Sequence, residues 1–174
     1  MAGTGESECD SHEVMTTEGQ LRHSLSADLD AATLYQILRL RVDVFVVEQA
    51  CPYPELDGRD LDPQTRQFWI SGDDGVIATL RLLVDPPAAD GRPMYRIGRV
   101  CTERGHRGQG LTAQLLGAAL AEIGDHPCRI DAQTYLVDMY AKFGFLAEGD
   151  EYLEDGIPHV AMRRDPAPSA GRSR

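Results

Sequence analysis

The sequence predicts an α+β domain, on three observations. Strand-like runs at 67–71, 76–84 and 96–102 are separated by turn-forming residues, which suggests an antiparallel meander. Apolar residues then recur at helical spacing, at Leu111, Leu115, Leu116, Ala119, Leu120 and Ile123, directly after a glycine-rich stretch. Two further runs, 146–153 and 159–162, flank Asp155-Gly156 and read as a closing hairpin.

The elements follow in order. Gln20 to Ser26 reads as a first strand. Asp30 is placed to cap a helix whose apolar positions Leu34, Ile37, Leu38 and Phe45 keep to one face and which ends near Glu48. The stretch 51–63 holds three prolines and Asp57-Gly58 without a steady period, so it is expected to be a loop with one short helical turn and a candidate lid. After the helix at 111–123, Arg129 to Ala132 supplies a short strand. Thr134 is expected to cap a helix reaching Phe143, with Gly144 closing it.

At 174 residues the chain suits one hydrophobic core, so a single domain over 19–164 is expected, between flexible tails at 1–18 and 165–174. The longest apolar runs fall far short of a bilayer span and the start is acidic, so a soluble, cytoplasmic protein is expected, with no membrane partner. Seventeen basic against 28 acidic residues leave a net charge of -11, which repels phosphate backbones and makes nucleic acid an unfavourable ligand. The four cysteines form no C-x-x-C pair and the histidines show no ligand spacing, so no metal is expected. Oligomeric state, monomer or homodimer, is left open by the sequence.

The chemistry concentrates at Arg104-Gly-His-Arg107-Gly108-Gln109-Gly110-Leu111-Thr112. Its glycines let consecutive backbone N–H groups converge, and the helix that follows offers first-turn donors without intrahelical partners. A diphosphate held there gains charge-assisted hydrogen bonds of roughly 1.5–3 kcal/mol each, aided by the helix dipole and Arg107. The bland alternative is a loop glycine pair beside a surface arginine.

Arg107-x-x-Gly110, preceded by the strand 96–102 and followed, a helix and a strand later, by Tyr140-Ala-Lys-Phe-Gly144-Phe145, resembles the acyl-CoA signature of the GNAT N-acetyltransferase superfamily. The segments Phe45-Val-Val-Glu-Gln49, Cys51-Pro-Tyr, Asp57-Gly58 and Asp155-Gly-Ile-Pro-His159 look like its ElaA branch. The resemblance covers about residues 20–164. It implies the GNAT acyl-CoA N-acyltransferase fold, a mixed β-sheet flanked by helices in which strands 96–102 and 129–133 splay apart around the pantetheine arm. It also implies an enzyme that uses acetyl-CoA as cosubstrate and a small-molecule or peptide amine as acceptor. Main-chain groups of Arg107, Gly108, Gln109, Gly110, Leu111 and Thr112 would hold the pyrophosphate. Val100 and Thr102 would bond pantetheine, an amide near Val100 or Cys101 would polarise the thioester carbonyl, and Gln133 stands where the family usually has Asn. Thr112 stands where the family has Gly or Ala; its hydroxyl can reach a phosphate oxygen but narrows the approach.

Tyr140 matches the family's general acid near the coenzyme sulfur. A phenol with pKa about 10 faces a leaving thiol of about 8.5, so hydrogen bonding to the developing thiolate is favoured over full proton transfer. The acceptor must lose a proton, and Glu48, His159 or a water chain can take it; the glutamate would need burial to raise its pKa. Arg39, Arg41 and Arg99 sit in otherwise apolar-looking segments, as groups for substrate carboxylates or coenzyme phosphate or, the plainer reading, as solvated or ion-paired arginines. Two other readings stand beside this one: a non-catalytic acyl-CoA-binding regulatory module, and a relation to acyl-homoserine-lactone synthases through the Val44 to Gln49 region.

Overall fold

The computed structural model describes residues 19–87 and 91–165; the 1–18 tail and the C-terminal tail beyond Asp165 lie outside the described residues. Strands β1 (Gln20–Leu25), β2 (Arg66–Gly72), β3 (Gly75–Asp85) and β4 (Met94–Thr102) form the antiparallel meander. Strands β5 (Cys128–Gln133), β6 (Leu146–Ala147), β7 (Tyr152–Glu154) and β8 (Ile157–Arg164) complete a mixed sheet of order β1-β2-β3-β4-β5-β8-β6, with β7 also on β8. The β7–β8 turn uses Asp155 and Gly156, both at positive φ (50° and 80°), the backbone a two-residue hairpin requires.

The period-2 alternation of the strands sorts their side chains onto two helix-covered faces. Phe68, Ile70, Leu80 and Leu82 join one core with helix α2 (Leu111–Ile123), which buries Leu111, Leu115, Leu116, Ala119 and Ile123. Trp69 and Val76 point the other way and pack with Ile37, Leu40 and Val44 from the other side of the sheet. Helix α1 (Ala31–Val42) starts where Asp30 Oδ1 accepts from the Thr33 amide at 2.8 Å, and its path continues as a wider π-helical turn over Asp43–Glu48.

Two local expectations are corrected. The inward face is Ile37, Leu40 and Arg41 on α1 and Val44 on the π-helical turn, while Leu34 and Leu38 are only partly buried. Apolar periodicity cannot register Arg41, whose side chain is wholly buried because carboxylates meet it there. Thr134 caps nothing: β5 stays extended to Gln133 and runs straight into a tight turn at Thr134–Leu136, then α3 (Val137–Ala141), so the cap positions fall on Gln133 and Leu136, neither with a side-chain cap bond. Gly144, at φ 84°, closes that segment as expected.

Candidate active site

The site is built on a seam. β4 and β5 run parallel but share only the pairs Tyr95↔Cys128 and Arg96↔Arg129. β4 stays paired to β3 as far as Thr102, and β5 to β8 as far as Gln133, so beyond the seam each strand turns an unpaired edge toward the other. Two facing edges of free N–H and C=O groups accept an extended, amide-bearing ligand as an added strand. β4 also bulges here. Thr79 pairs with Cys101 and Arg81 with Gly98, so two steps on β3 face three on β4, and Arg99 takes φ 52°.

Past β4, Gly108 and Gly110 both sit at φ 77°, a conformation glycine adopts without steric cost, and Gly110 is the N-cap of α2 with no side-chain cap bond. A Cβ built on either glycine would meet nothing within 4 Å, so there is open space over the loop. The residues therefore fit a diphosphate: a helix N-terminus, two left-handed glycines and room above them. The Thr112 hydroxyl is 3.2 Å from that of Thr102, tying the helix start to β4.

Arg107 does not turn into this cradle. Its Nε donates to the Thr102 carbonyl (3.0 Å), and its Nη1 and Nη2 clasp Glu48 at 2.6 and 2.8 Å. The hydrogen bonds and charge of Arg107 hold the Glu48 carboxyl below its usual range, so the burial-raised pKa that a base role would need is not met. A cavity of about 150 Å³ lies beside Glu48, lined by Arg39, Leu40, Asp43, Val44, Val76, Glu103 and Arg104.

Tyr140 is buried, with its ring edge-on to Phe145 at 6.2 Å. Burial pushes its hydroxyl pKa well up, so the phenol keeps its proton throughout the neutral range. His159 lies opposite Gln133 across the β5–β8 ladder. Its Nδ1 is 2.8 Å from the Ile157 carbonyl, which can only accept, so Nδ1 carries a proton and, in the neutral ring, the lone pair is on Nε2. The Tyr152 ring stacks on it at 6.0 Å, and Tyr152 donates to Asp131 at 3.1 Å. Gln133 in turn donates to Gln49 at 3.3 Å, linking the end of β5 to the end of the π-helical turn. The two base candidates thus belong to separate clusters: Glu48 to Arg107, His159 to Tyr152 and Ile157.

The 51–63 loop, expected as a lid, is pinned. Arg41 clasps Glu55 (2.8 and 3.1 Å) and Asp60 (2.6 and 3.1 Å), and Arg81 clasps Asp57 (2.8 and 2.6 Å) while also reaching Asp60 at 3.0 Å. Arg41 and Arg99 are therefore ion-paired, as the plainer of the two expectations had it. Sequence reasoning missed Glu55, Asp57, Asp60 and Arg81. The signal available was Arg81 inside the apolar run Leu80 to Val84, a charge that folding had to match with a partner.

A family model described as an acetyltransferase (GNAT) domain matches residues 41–166. The chain belongs to the GNAT acetyltransferase family. This GNAT chain is 61% identical over 145 residues to a UPF0039 protein of Mycobacterium tuberculosis, covering 83% of this chain and 92% of the relative. It is 38% identical over 149 residues to the ElaA protein of Escherichia coli (83% and 94% covered), whose crystal structure superposes with TM-score 0.76 at 34% identity over 84% of this chain and 99% of that one. An acyl-CoA N-acyltransferase from Pseudomonas aeruginosa superposes with TM-score 0.77 at 43% identity, covering 84% of this chain and 99% of that one. The ElaA-like branch, the GNAT fold and an acyltransferase that uses an acyl-CoA cosubstrate follow. Among the described residues no helix is long and apolar enough to cross a membrane.

Proposed function

We propose that the chain is an N-acetyltransferase that passes the acetyl group of acetyl-CoA directly to an amine, either a small molecule or a peptide. The observation that carries this reading is the parted β4–β5 seam, with the positive-φ glycine loop beyond β4 and the buried, protonated Tyr140 beyond β5. The amides of 107–112 bind the diphosphate, and the edges at Val100, Cys101, Thr102 (by its amide, the carbonyl being taken by Arg107) and Gln133 align the pantetheine arm. A strand amide near Val100 or Cys101 polarises the thioester carbonyl.

Direct transfer is supported by Cys101. It lies on the β4 side of the seam and Cys128 stands in the seam pairing itself, but burial pushes both pKa values up to about 12, so neither is a nucleophile near neutrality. Tyr140 acts as a hydrogen-bond donor to the leaving sulfur. Its raised pKa makes complete proton transfer still more uphill than the roughly 2 kcal/mol expected in water, so the proton passes only as charge builds. His159, with Nε2 free, takes the amine proton, while Glu48 fixes Arg107. Positioning supplies most of the acceleration, on the order of 7–11 kcal/mol.

An amine-panel assay that follows free thiol from acetyl-CoA, with longer acyl-CoAs in parallel, tests the reading. Tyr140→Phe is expected to lower kcat by roughly 100-fold without abolishing turnover, and His159→Ala to lower it at neutral pH more than Glu48→Gln does. Unchanged kcat for Tyr140→Phe across pH would remove its assigned role. Binding of acetyl-CoA with no thiol released to any amine would favour the regulatory binding module instead.

A further inference from the structure

Arg99 is the residue of β4 whose backbone conformation its own side chain least favours. At φ 52° it sits in the left-handed region, where a Cβ-bearing residue is strained, and it does so inside the bulge that separates the β3 ladder from the seam. Its guanidinium is gripped through Nη2 and lies against Glu55 and Tyr53, with Nε in ion-pair contact but without a hydrogen bond of its own. Nη2 donates to the Glu55 carbonyl (3.1 Å) and to Asp57 Oδ2 (3.3 Å), Nε lies 2.8 Å from Glu55 Oε1, and the Tyr53 ring is stacked 5.8 Å away. The clamping carboxylates are themselves fixed, Glu55 by the buried Arg41 and Asp57 by Arg81. Buried ion pairs add little net stability over apolar packing. What this cluster does achieve is to over-determine one strained backbone position beside the site.

We propose that the Glu55–Asp57 clamp on Arg99 is a positioning device, which holds the β4 bulge in its left-handed turn so that the Val100–Cys101 amide edge faces the seam and polarises the donor thioester. Arg99 acts through its backbone, and Glu55 and Asp57 act through Arg99. The inference rests on the acyl-transfer reading above, and it adds a role for the loop that sequence reasoning took for a lid. Strain alone does not keep a bulge in place: without the clamp, β4 can relax toward regular pairing with β3, carrying the amide away from the thioester oxygen.

The test compares Arg99→Val, Arg99→Gly and Asp57→Asn by calorimetric Kd for acetyl-CoA, by kcat, and by the carbonyl stretch of isotope-labelled acetyl-CoA bound to the protein. The carbonyl band needs no acceptor. In the wild type it is expected at lower frequency than in free acetyl-CoA. Arg99→Val, which resists positive φ, should lose most of that shift and roughly 10- to 100-fold in kcat, with Kd within about twofold. Arg99→Gly, which adopts positive φ freely, should keep more of both, and Asp57→Asn should fall between wild type and Arg99→Val. If Arg99→Val does not fold, Asp57→Asn decides. An unshifted carbonyl in bound wild type, or a shift retained in Arg99→Val, overturns the proposal and leaves the enzyme reading standing. Equal loss in Gly and Val overturns it too, because the effect would then not run through the backbone angle at residue 99. Failure of the wild type to bind acetyl-CoA removes the donor and both readings with it.

Discussion

Arg41→Met is expected to destabilise the protein by about 3–5 kcal/mol, read as a fall in the midpoint of a urea titration at neutral pH. The side chain is wholly buried and makes four hydrogen bonds to two carboxylates of the 51–63 loop. Methionine fills much of the same volume but leaves Glu55 and Asp60 buried without that cation. The triple variant Arg41→Met, Glu55→Gln, Asp60→Asn should recover much of the loss, since it removes the charges together with their partner. The pH dependence has a definite sign. Burial on its own would raise the Asp60 pKa, but Arg41, Arg81 and Gln67 outweigh it, and Asp57 is held below the usual carboxylate range chiefly by its hydrogen bonds from Arg81. Both carboxylates therefore contribute stability above their unfolded pKa of about 3.9, and lose it as pH falls through their lowered folded values. Without Arg41 the Asp60 pKa rises, so the deficit of the variant is largest at neutral pH and narrows in acid.

Gly110→Ala is expected to weaken acyl-CoA binding by roughly 100-fold or more, with a stability change of about 1–2 kcal/mol, measured by calorimetry and thermal unfolding side by side. The backbone at Gly110 has φ 77°, and the added methyl would project into space with no protein atom within 4 Å. The methyl thus meets no steric obstacle in the protein itself. It meets one in the volume assigned to the diphosphate, and tilting the α2 amides away from that volume forfeits two or more charge-assisted hydrogen bonds. Affinity within about twofold of wild type would place the phosphates elsewhere.

Legibility in the sequence followed the range of the interactions. The strand runs and tight turn of the β2–β4 meander, the Asp30 cap, the 111–123 helix, the Asp155-Gly156 turn and the positive-φ glycines depend on neighbours close along the chain, and local pattern reports such neighbours well, whereas the pairing of β1 with β2 joins residues more than forty positions apart. The loop was misread as free because its anchors, Arg41, Arg81 and Arg99, come from three distant elements. The same holds for Glu48. Its position at a helix end was evident, but its pKa depends on an arginine 59 positions further along the chain. The tautomer of His159 likewise depends on the hairpin that brings the Ile157 carbonyl to Nδ1, which sequence alone does not orient.

The narrow join between β4 and β5 has a consequence for the lifetime of the protein. With only two residue pairs across it, the sheet is close to being two sheets, β1–β4 and β5–β8, fastened at one corner. On the proposed reading, in which the donor lies along both free edges, it serves as the absent strand and fastens the halves as well as supplying the reaction. Occupancy then adds RT ln(1 + [L]/Kd) to the folding free energy, about 2.7 kcal/mol at a hundredfold excess over Kd. On that reading, added acyl-CoA is expected to slow limited proteolysis of the purified chain, and an unchanged cleavage rate at saturating donor would show that the seam does not open on its own.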